Sequence, residues 1–212
     1  MPIQFITPSI ISSVANTQVT GTITASQIAT VNANTITSGT IPLAQIPQLT
    51  GVKLPTGSVL QVVSTTKSDT FSVTGGGNGS FFDITGFAVT ITPTSATSKI
   101  LIFVNLSCSS SNDAEHLNAR VVRGASTLVG SGDAIGSRNQ AMWAHGINNT
   151  SNNAKVFAAQ YLDSPATTSA TTYKVQGYNS ASIFYLNRTP TWSDSNHYSQ
   201  GASTITVMEI AA

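Results

Sequence analysis

Residues 98–111 read SKILIFVNLSCSSS. An extended chain turns successive side chains to opposite faces. On that period Ile100, Ile102 and Val104 are assigned to one face, and Leu101, Phe103 and Leu106 to the other. A strand that is apolar on both sides belongs inside a sheet rather than at its edge. The polar tail ending in Ser109, Ser110 and Ser111 closes it, and Cys108 reads as a buried strand residue.

Working outward, similar words recur at short intervals. Before it stand GSVLQVVSTT, DTFSVT and SFFDITGFAVTITP; after it come LNARVVRG, QAMWAHGI, AKVFAAQYLD, TTYKVQGYN, SIFYLNR and ASTITVMEI. These are rich in Val, Ile, Thr and aromatics, which fit a pleated surface. They are separated by turn-forming runs such as PTSATS, and no amphipathic helical period appears. Closely spaced short strands of this kind predict an all-β protein with a jelly-roll-like antiparallel β-sandwich over residues 56–212. The last strand, ending within two residues of Ala212, is expected to be integral to a sheet. GGGNGS at 75–80 lacks the Lys-Ser/Thr ending of a phosphate-binding loop and reads as a long hairpin turn.

Residues 1–55 have a different texture. Phe5 is their only aromatic and Lys53 their only charge, and NTQVTGTITASQI at 16–28 returns as NTITSGTIPLAQI at 34–46. So little apolar surface cannot offset the entropy lost on ordering one such segment alone. The repeated Ile23, Ile28, Ile41 and Ile46 would give each chain a thin apolar stripe that identical chains bury against one another. The expectation is therefore an extended, repeat-containing shaft or attachment segment. A flexible linker is the alternative, since two copies fall short of the three that repeat folds usually need.

Across the 212 residues hydrophobic side chains make up 40% and charged ones only 8%, with a net charge of +1. No basic stripe exists to neutralise phosphates, so nucleic acid is not an expected partner. With one cysteine there is neither an intrachain disulfide nor a multi-cysteine metal site. The opening residues MPIQFITPSIISSVANTQ lack the positive start of a secretory signal, and no apolar run has the length of a membrane span. The sequons at Asn78, Asn105, Asn148, Asn149 and Asn187 follow from a chain rich in Asn, Ser and Thr.

Chemistry-bearing residues are few. Asp113, Glu115 and His116 form the densest cluster, but alternation separates residue 116 from the other two, so no metal site is expected. Cleavage of a sugar would need two carboxylates, for which Asp133 with Asp163 or Asp194 are the candidates; no catalytic residue and no cofactor is expected. Surface recognition asks less: an aromatic face beside polar edges holds a sugar. Trp192, His197 and Tyr198 in PTWSDSNHYSQG, and Trp143 and His145 in QAMWAHGINN, are the candidates for receptor contact. Both tryptophans could instead plug the sandwich ends or touch a neighbouring subunit.

The tract from GSVLQVVSTTKSDTFSV to ATSKILIFV, the words ARVVRGASTLVGSGDAIGSR and YLDSPATTSATTYKVQGYNS, and the closing ASTITVMEIAA together resemble a domain of tailed-bacteriophage tail-fibre and fibre-like virion proteins, notably those of aquatic and cyanobacterial phages. GTITASQI and SGTIPLAQI resemble the linker repeats that precede globular heads in such fibres. The resemblance implies a homotrimer, a β-structured head, other virion proteins and a host-surface glycan as partners, and a place on the particle exterior without membrane insertion. Fewer than sixty residues precede the head, short for a long fibre, so a capsid decoration protein and, further off, a glycan-cleaving spike module stand as alternatives.

Overall fold

The chain divides into two units, Met1–Gln48 and Leu49–Ala212. The computed structural model describes residues 54–74, 80–111, 116–146, 154–180 and 182–212. Ile23, Ile28, Ile41 and Ile46, with the expected shaft, lie outside the described residues.

Among these residues there is no helix. The strands are β1 (Val59–Lys67), β2 (Phe71–Thr74), β3 (Phe82–Ile91), β4 (Lys99–Ser110), β5 (His116–Arg123), β6 (Thr127–Val129), β7 (Trp143–Gly146), β8 (Lys155–Asp163), β9 (Thr171–Asn179), β10 (Ile183–Leu186) and β11 (Ser203–Ile210). All pairings are antiparallel and fall into two sheets.

The long β4 organises the first sheet. One of its edges carries β8 along Ile100–Cys108, so β11 (on Lys99–Asn105) and β10 (on Cys108–Ser110) must share the other edge end to end. Beyond them β1 pairs with β11 and β2 with β10. The second sheet runs β3, β9, β5, and then β6 and β7 on the far edge of β5. Reduced to columns, the orders are β1/β2, β11/β10, β4, β8 and β3, β9, β5, β6/β7. That is a jelly roll, with the chain passing back and forth between two sheets. β4 lies inside its sheet and β11 between β1 and β4, as the sequence predicts.

Two expectations need correction. Leu106 is fully buried with Ile100, Ile102 and Val104, because even-numbered positions share a face. Residues 75–79 of GGGNGS lie outside the described residues, but the strands on either side do not pair as a hairpin, since β2 belongs to one sheet and β3 to the other. Turn-forming glycines signal a reversal but not which sheet the chain enters next.

The core lies between the sheets and includes Phe87, Ile100, Ile102, Leu106, Tyr173, Phe184, Ile205 and Val207. The Phe82 ring meets Phe184 edge-on at 5.2 Å and Phe71 at 6.5 Å. Beneath them Gly177 is required by space: a Cβ there would sit 2.9 Å from the Phe82 ring and 3.2 Å from that of Phe184. Cys108 is buried on β4, and burial pushes its thiol far above the ordinary value.

Three polar sites pin the layers. Asp163 on β8 accepts from Arg123 on β5 at 2.8 Å and from the Tyr173 hydroxyl on β9 at 2.7 Å, tying one sheet to the other. Burial, and then donation to Asp163, raise the Tyr173 phenol well above its usual range. Glu209, fully buried on β11, accepts from Gln61 at 2.6 Å and from the amide and hydroxyl of Thr94 at 2.7 Å each. Burial works to raise its pKa, but these donors outweigh it and hold the carboxyl below the ordinary 4.5.

Asn187 is the third. It is fully buried with a left-handed φ of 60°, a conformation Asn tolerates better than most residues. Its Nδ2 donates to the carbonyls of Lys67 (2.8 Å) and Asp69 (2.9 Å), and its Oδ1 accepts from Ser203 Oγ at 2.7 Å. Its backbone N–H donates to Ser107 O at 2.8 Å, and its carbonyl accepts from Gly201 N at 3.0 Å. One amide thus closes the break between β1 and β2 and the break between β10 and β11. With its side chain so engaged, this sequon offers no glycan acceptor; Asn105, by contrast, is exposed on β4.

The outer faces of the sheets differ. On the second, Asp83 binds Lys174 (2.7 Å) and Gln176 (2.6 Å), Gln176 accepts from Arg120 (2.7 Å), and Arg120 lies 3.9 Å over the Phe81 ring. On the first, cross-strand register sets Val62, Met208, Leu101 and Leu162 in one row, Ser64, Thr206, Phe103 and Gln160 in the next, and Thr66, Thr204, Asn105 and Ala158 in the third. None of these carries a charge.

Replacing Asn187 leaves the carbonyls of Lys67 and Asp69 without their donor. Asn187→Ala should destabilise by about 3 kcal/mol, and Asn187→Gly by roughly 1 kcal/mol less because glycine accepts the left-handed φ freely. Denaturant titration of both variants measures the difference; equal losses would mean the backbone conformation contributes nothing.

Because the folded-state pKa of Glu209 is lowered, its contribution is present above the unfolded value and is lost as pH falls through the folded one. Melting temperature should therefore drop below about pH 4.5, and more steeply in the native chain than in Glu209→Gln. Thermal melts of the two proteins across the acid range test this.

Candidate functional site

The chain leaves β10 at Leu186 and enters β11 at Ser203. Residues 188–202 between them form a surface loop whose two ends are held together. Gly201 N donates to Asn187 O, Ser203 Oγ donates to Asn187 Oδ1, and Ser107 N donates to Ser203 Oγ at 3.0 Å. A loop closed at its neck in this way behaves as an Ω-loop, shaped by its own side chains. Gln200 Nε2 adds a bond to Ser68 O at 2.5 Å, and Arg188 O accepts from Ser109 Oγ at 2.7 Å.

Arg188 shapes the first part of the loop. Its Nε donates to Thr189 O and its Nη2 to Pro190 O, each at 3.1 Å. Its guanidinium carbon lies 4.5 Å from the centroid of the Tyr185 ring and 5.3 Å from that of Trp192. A planar cation held by backbone carbonyls and stacked on two rings is a rigid prop. It fixes Trp192 while leaving that side chain 41% exposed, which is unusual for the largest apolar residue type.

Beside it lies a recess of about 300 Å³ lined by Trp192, Ser193, Asp194, Ser195, Tyr198 and Gln200. Tyr198 is positioned by a one-turn backbone bond, N to Ser195 O at 3.1 Å. The lining therefore combines two aromatic rings with a carboxylate, an amide and hydroxyls. That set offers apolar faces for the C–H side of a pyranose and acceptors and donors for its hydroxyls. It holds one carboxylate and no histidine, cysteine or second acid.

Of the residues singled out in the sequence, the fold brings Trp192 and Tyr198 together at this recess. His197 is exposed on the same loop but does not line it. Trp143 is elsewhere: it pairs across from Ala119 on β5, is 8% exposed and belongs to the core, so its ring is closed to a surface ligand. Its alternative role of plugging the sandwich accounts for it. His145 belongs to β7, but its side chain is outside the described ones. Gln200 and Arg188 were not singled out in the sequence, and Asp194 was named there only as a possible second carboxylate beside Asp133. Arg188 carried the one available signal, a cation flanked by aromatics at Tyr185 and Trp192.

The other chemical candidates separate. Asp163 is consumed by Arg123 and Tyr173, while Asp133 and Asp194 are exposed. Asp113 and Glu115 lie outside the described residues, and His116 is exposed at the start of β5. Among the described residues no group of three or more His, Cys, Asp or Glu is placed to hold a metal ion, and no helix is long and apolar enough to cross a membrane.

No protein-family model matches the chain, and neither does any curated protein. Solved structures similar to it include the infectious bursal disease virus VP2 subviral particle, at 14% identity and a TM-score of 0.44, covering 71% of this chain and 32% of that one. Others are the infectious bursal disease virus Gx strain (17% identity, TM-score 0.37, 72% and 36% covered) and T=1 particles derived from infectious bursal virus (14%, 0.36, 72% and 36%). The chain spans about a third of the length of the solved chains it matches.

The two tryptophans of the chain differ enough in exposure to be told apart by fluorescence. Trp192→Phe should shift emission to shorter wavelength and remove the component quenched by iodide, leaving that of buried Trp143. Unchanged quenching in the variant would contradict the exposure described for Trp192.

Proposed function

We propose that this chain is a non-enzymatic structural protein of a bacteriophage particle, a short trimeric fibre whose sandwich head meets the host surface through the 188–202 loop. Residues 1–55, with Ile23, Ile28, Ile41 and Ile46, would intertwine with sister chains and anchor to other virion proteins. The sequence resemblance to tailed-phage fibre proteins supports the class, and the jelly roll is a fold that suits it. The observation that carries the host-contact role is the propped, half-exposed Trp192 beside a recess lined by Asp194, Tyr198 and Gln200.

The ligand class that fits is a neutral or cationic sugar of a cell-envelope glycan. A single acid in the lining, Asp194, disfavours strongly anionic sugars and leaves hydrolysis without its second carboxylate. One such recess binds weakly; three on one fibre, and several fibres on one particle, add through effective concentration. The role needs no cofactor and no nucleic acid.

Trp192→Ala should lower binding of the full-length protein to bacterial envelope polysaccharides at least about tenfold while leaving its melting temperature within a few degrees of the native value. Binding unchanged on a glycan panel would remove the recess from the proposal. Labelling intact particles with an antibody to the head distinguishes the two locations: signal on the capsid instead of the tail would replace the fibre with a decoration protein. Shortening of the polysaccharide on incubation would overturn the non-enzymatic reading.

A further inference from the structure

The two outer faces of this sandwich are solvated on different terms. Across β3, β9 and β5 the outward side chains form a ladder of charge, Asp83 with Lys174 and Arg120 with Gln176, stacked on Phe81. Such a face is content in water. Across β1, β11, β4 and β8 the outward positions carry no charge over three successive rows. Leu162 is 50% exposed and Val62 54%, at opposite ends of the row that Met208 and Leu101 complete. A shallow depression of about 420 Å³ lies over Phe103, Asn105, Ala158, Gln160 and Thr204. On β8 Val156 is 65% exposed, so the apolar character reaches the margin of the sheet.

We infer that this uncharged face is the contact surface between copies of the chain. The inference rests on the self-assembly in the proposed function and names the surface that carries it. Three observations select a second copy as the occupant. Three rows with no charge can meet themselves in any rotation without like-charge repulsion, with Lys99 one row beyond Leu101 at their margin. Its polar members are Ser, Thr, Asn and Gln, short neutral groups that pair with one another as Ser64 and Thr206 already do at 2.8 Å. Its size suits a contact reinforced by a second attachment: four strands about 4.8 Å apart and three to four rows about 6.8 Å apart cover roughly 400–500 Å², so two copies bury about 800–1,000 Å², the lower end of specific contacts, which the shaft of the proposed function would strengthen through effective concentration. In a threefold assembly the three faces turn inward, which leaves the charge ladder of the other sheet outside.

The test uses the full-length protein. Light scattering coupled to size exclusion should give a multimer for the native chain, and the double variant Val62→Lys, Leu162→Lys should begin to dissociate at a concentration at least about tenfold higher than the native chain does. Both positions are half-exposed in the single chain, so far-UV circular dichroism should be unchanged. A folded double variant that dissociates over the same concentration range as the native chain overturns this inference while leaving self-assembly through residues 1–55 intact. A native chain that is itself monomeric at micromolar concentration overturns both. Should the double variant fail to fold, Gln160→Cys decides. Cys108 is buried, so maleimide reports position 160 alone. Labelling of the assembled native protein at least tenfold slower than that of a free thiol in solution supports the contact, and labelling at the rate of a free thiol refutes it.

Discussion

Asn187 is the residue on which the head's layout depends. Two columns of the first sheet are each broken once, β1 from β2 and β11 from β10, and the breaks lie at the same level. A sheet with two adjacent gaps would ordinarily lose its ladder there and admit water to the core. One buried side-chain amide replaces the missing rungs, donating to one column and accepting from the other, while its own backbone bonds to β4. The left-handed φ is what lets the chain turn outward at that point with every polar group of the residue engaged. The same arrangement gives the loop its closed neck, so the architecture of the sheet and the presentation of Trp192 share one cause.

The polar pins have a common logic. Asp163, Glu209 and Asn187 are buried polar groups, and each is surrounded by donors or acceptors from elements far apart in the chain. Burial of such groups is costly unless they are fully partnered, and then it specifies one arrangement among many that apolar packing alone would permit. A sandwich core of Ile, Val and Phe tolerates slippage; these three sites do not. The contrast between the outer faces adds a second level of specification, because the charge ladder marks the side that must remain wet.

Much of the fold was legible from local pattern. Alternation in SKILIFVNLSCSSS placed β4 inside a sheet, and the short words on either side correspond to β1 to β3, β5 and β7 to β11. What local pattern could not carry was pairing at a distance. GGGNGS announces a turn, but whether the chain folds back or crosses to the other sheet is decided by partners such as Ile183–Leu186, more than a hundred residues away. Trp143 and Trp192 were both candidates for receptor contact, yet Trp143, in the less polar word, faces the core because its strand pairs with the buried stretch of β5, and Trp192 is held out by Arg188. Asn187 stood out only as a sequon and gave no signal of its pinning role, since its bonding partners Lys67, Asp69, Ser107 and Ser203 are scattered along the sequence.

The single thiol also has a consequence. Cys108 is the only sulfhydryl of the chain, it lies inside the sandwich, and burial suppresses formation of the reactive thiolate. Its covalent connectivity is therefore the same under reducing and oxidising conditions. A molecule so built has no thiol placed to crosslink it to a neighbour, whatever the redox state of its surroundings.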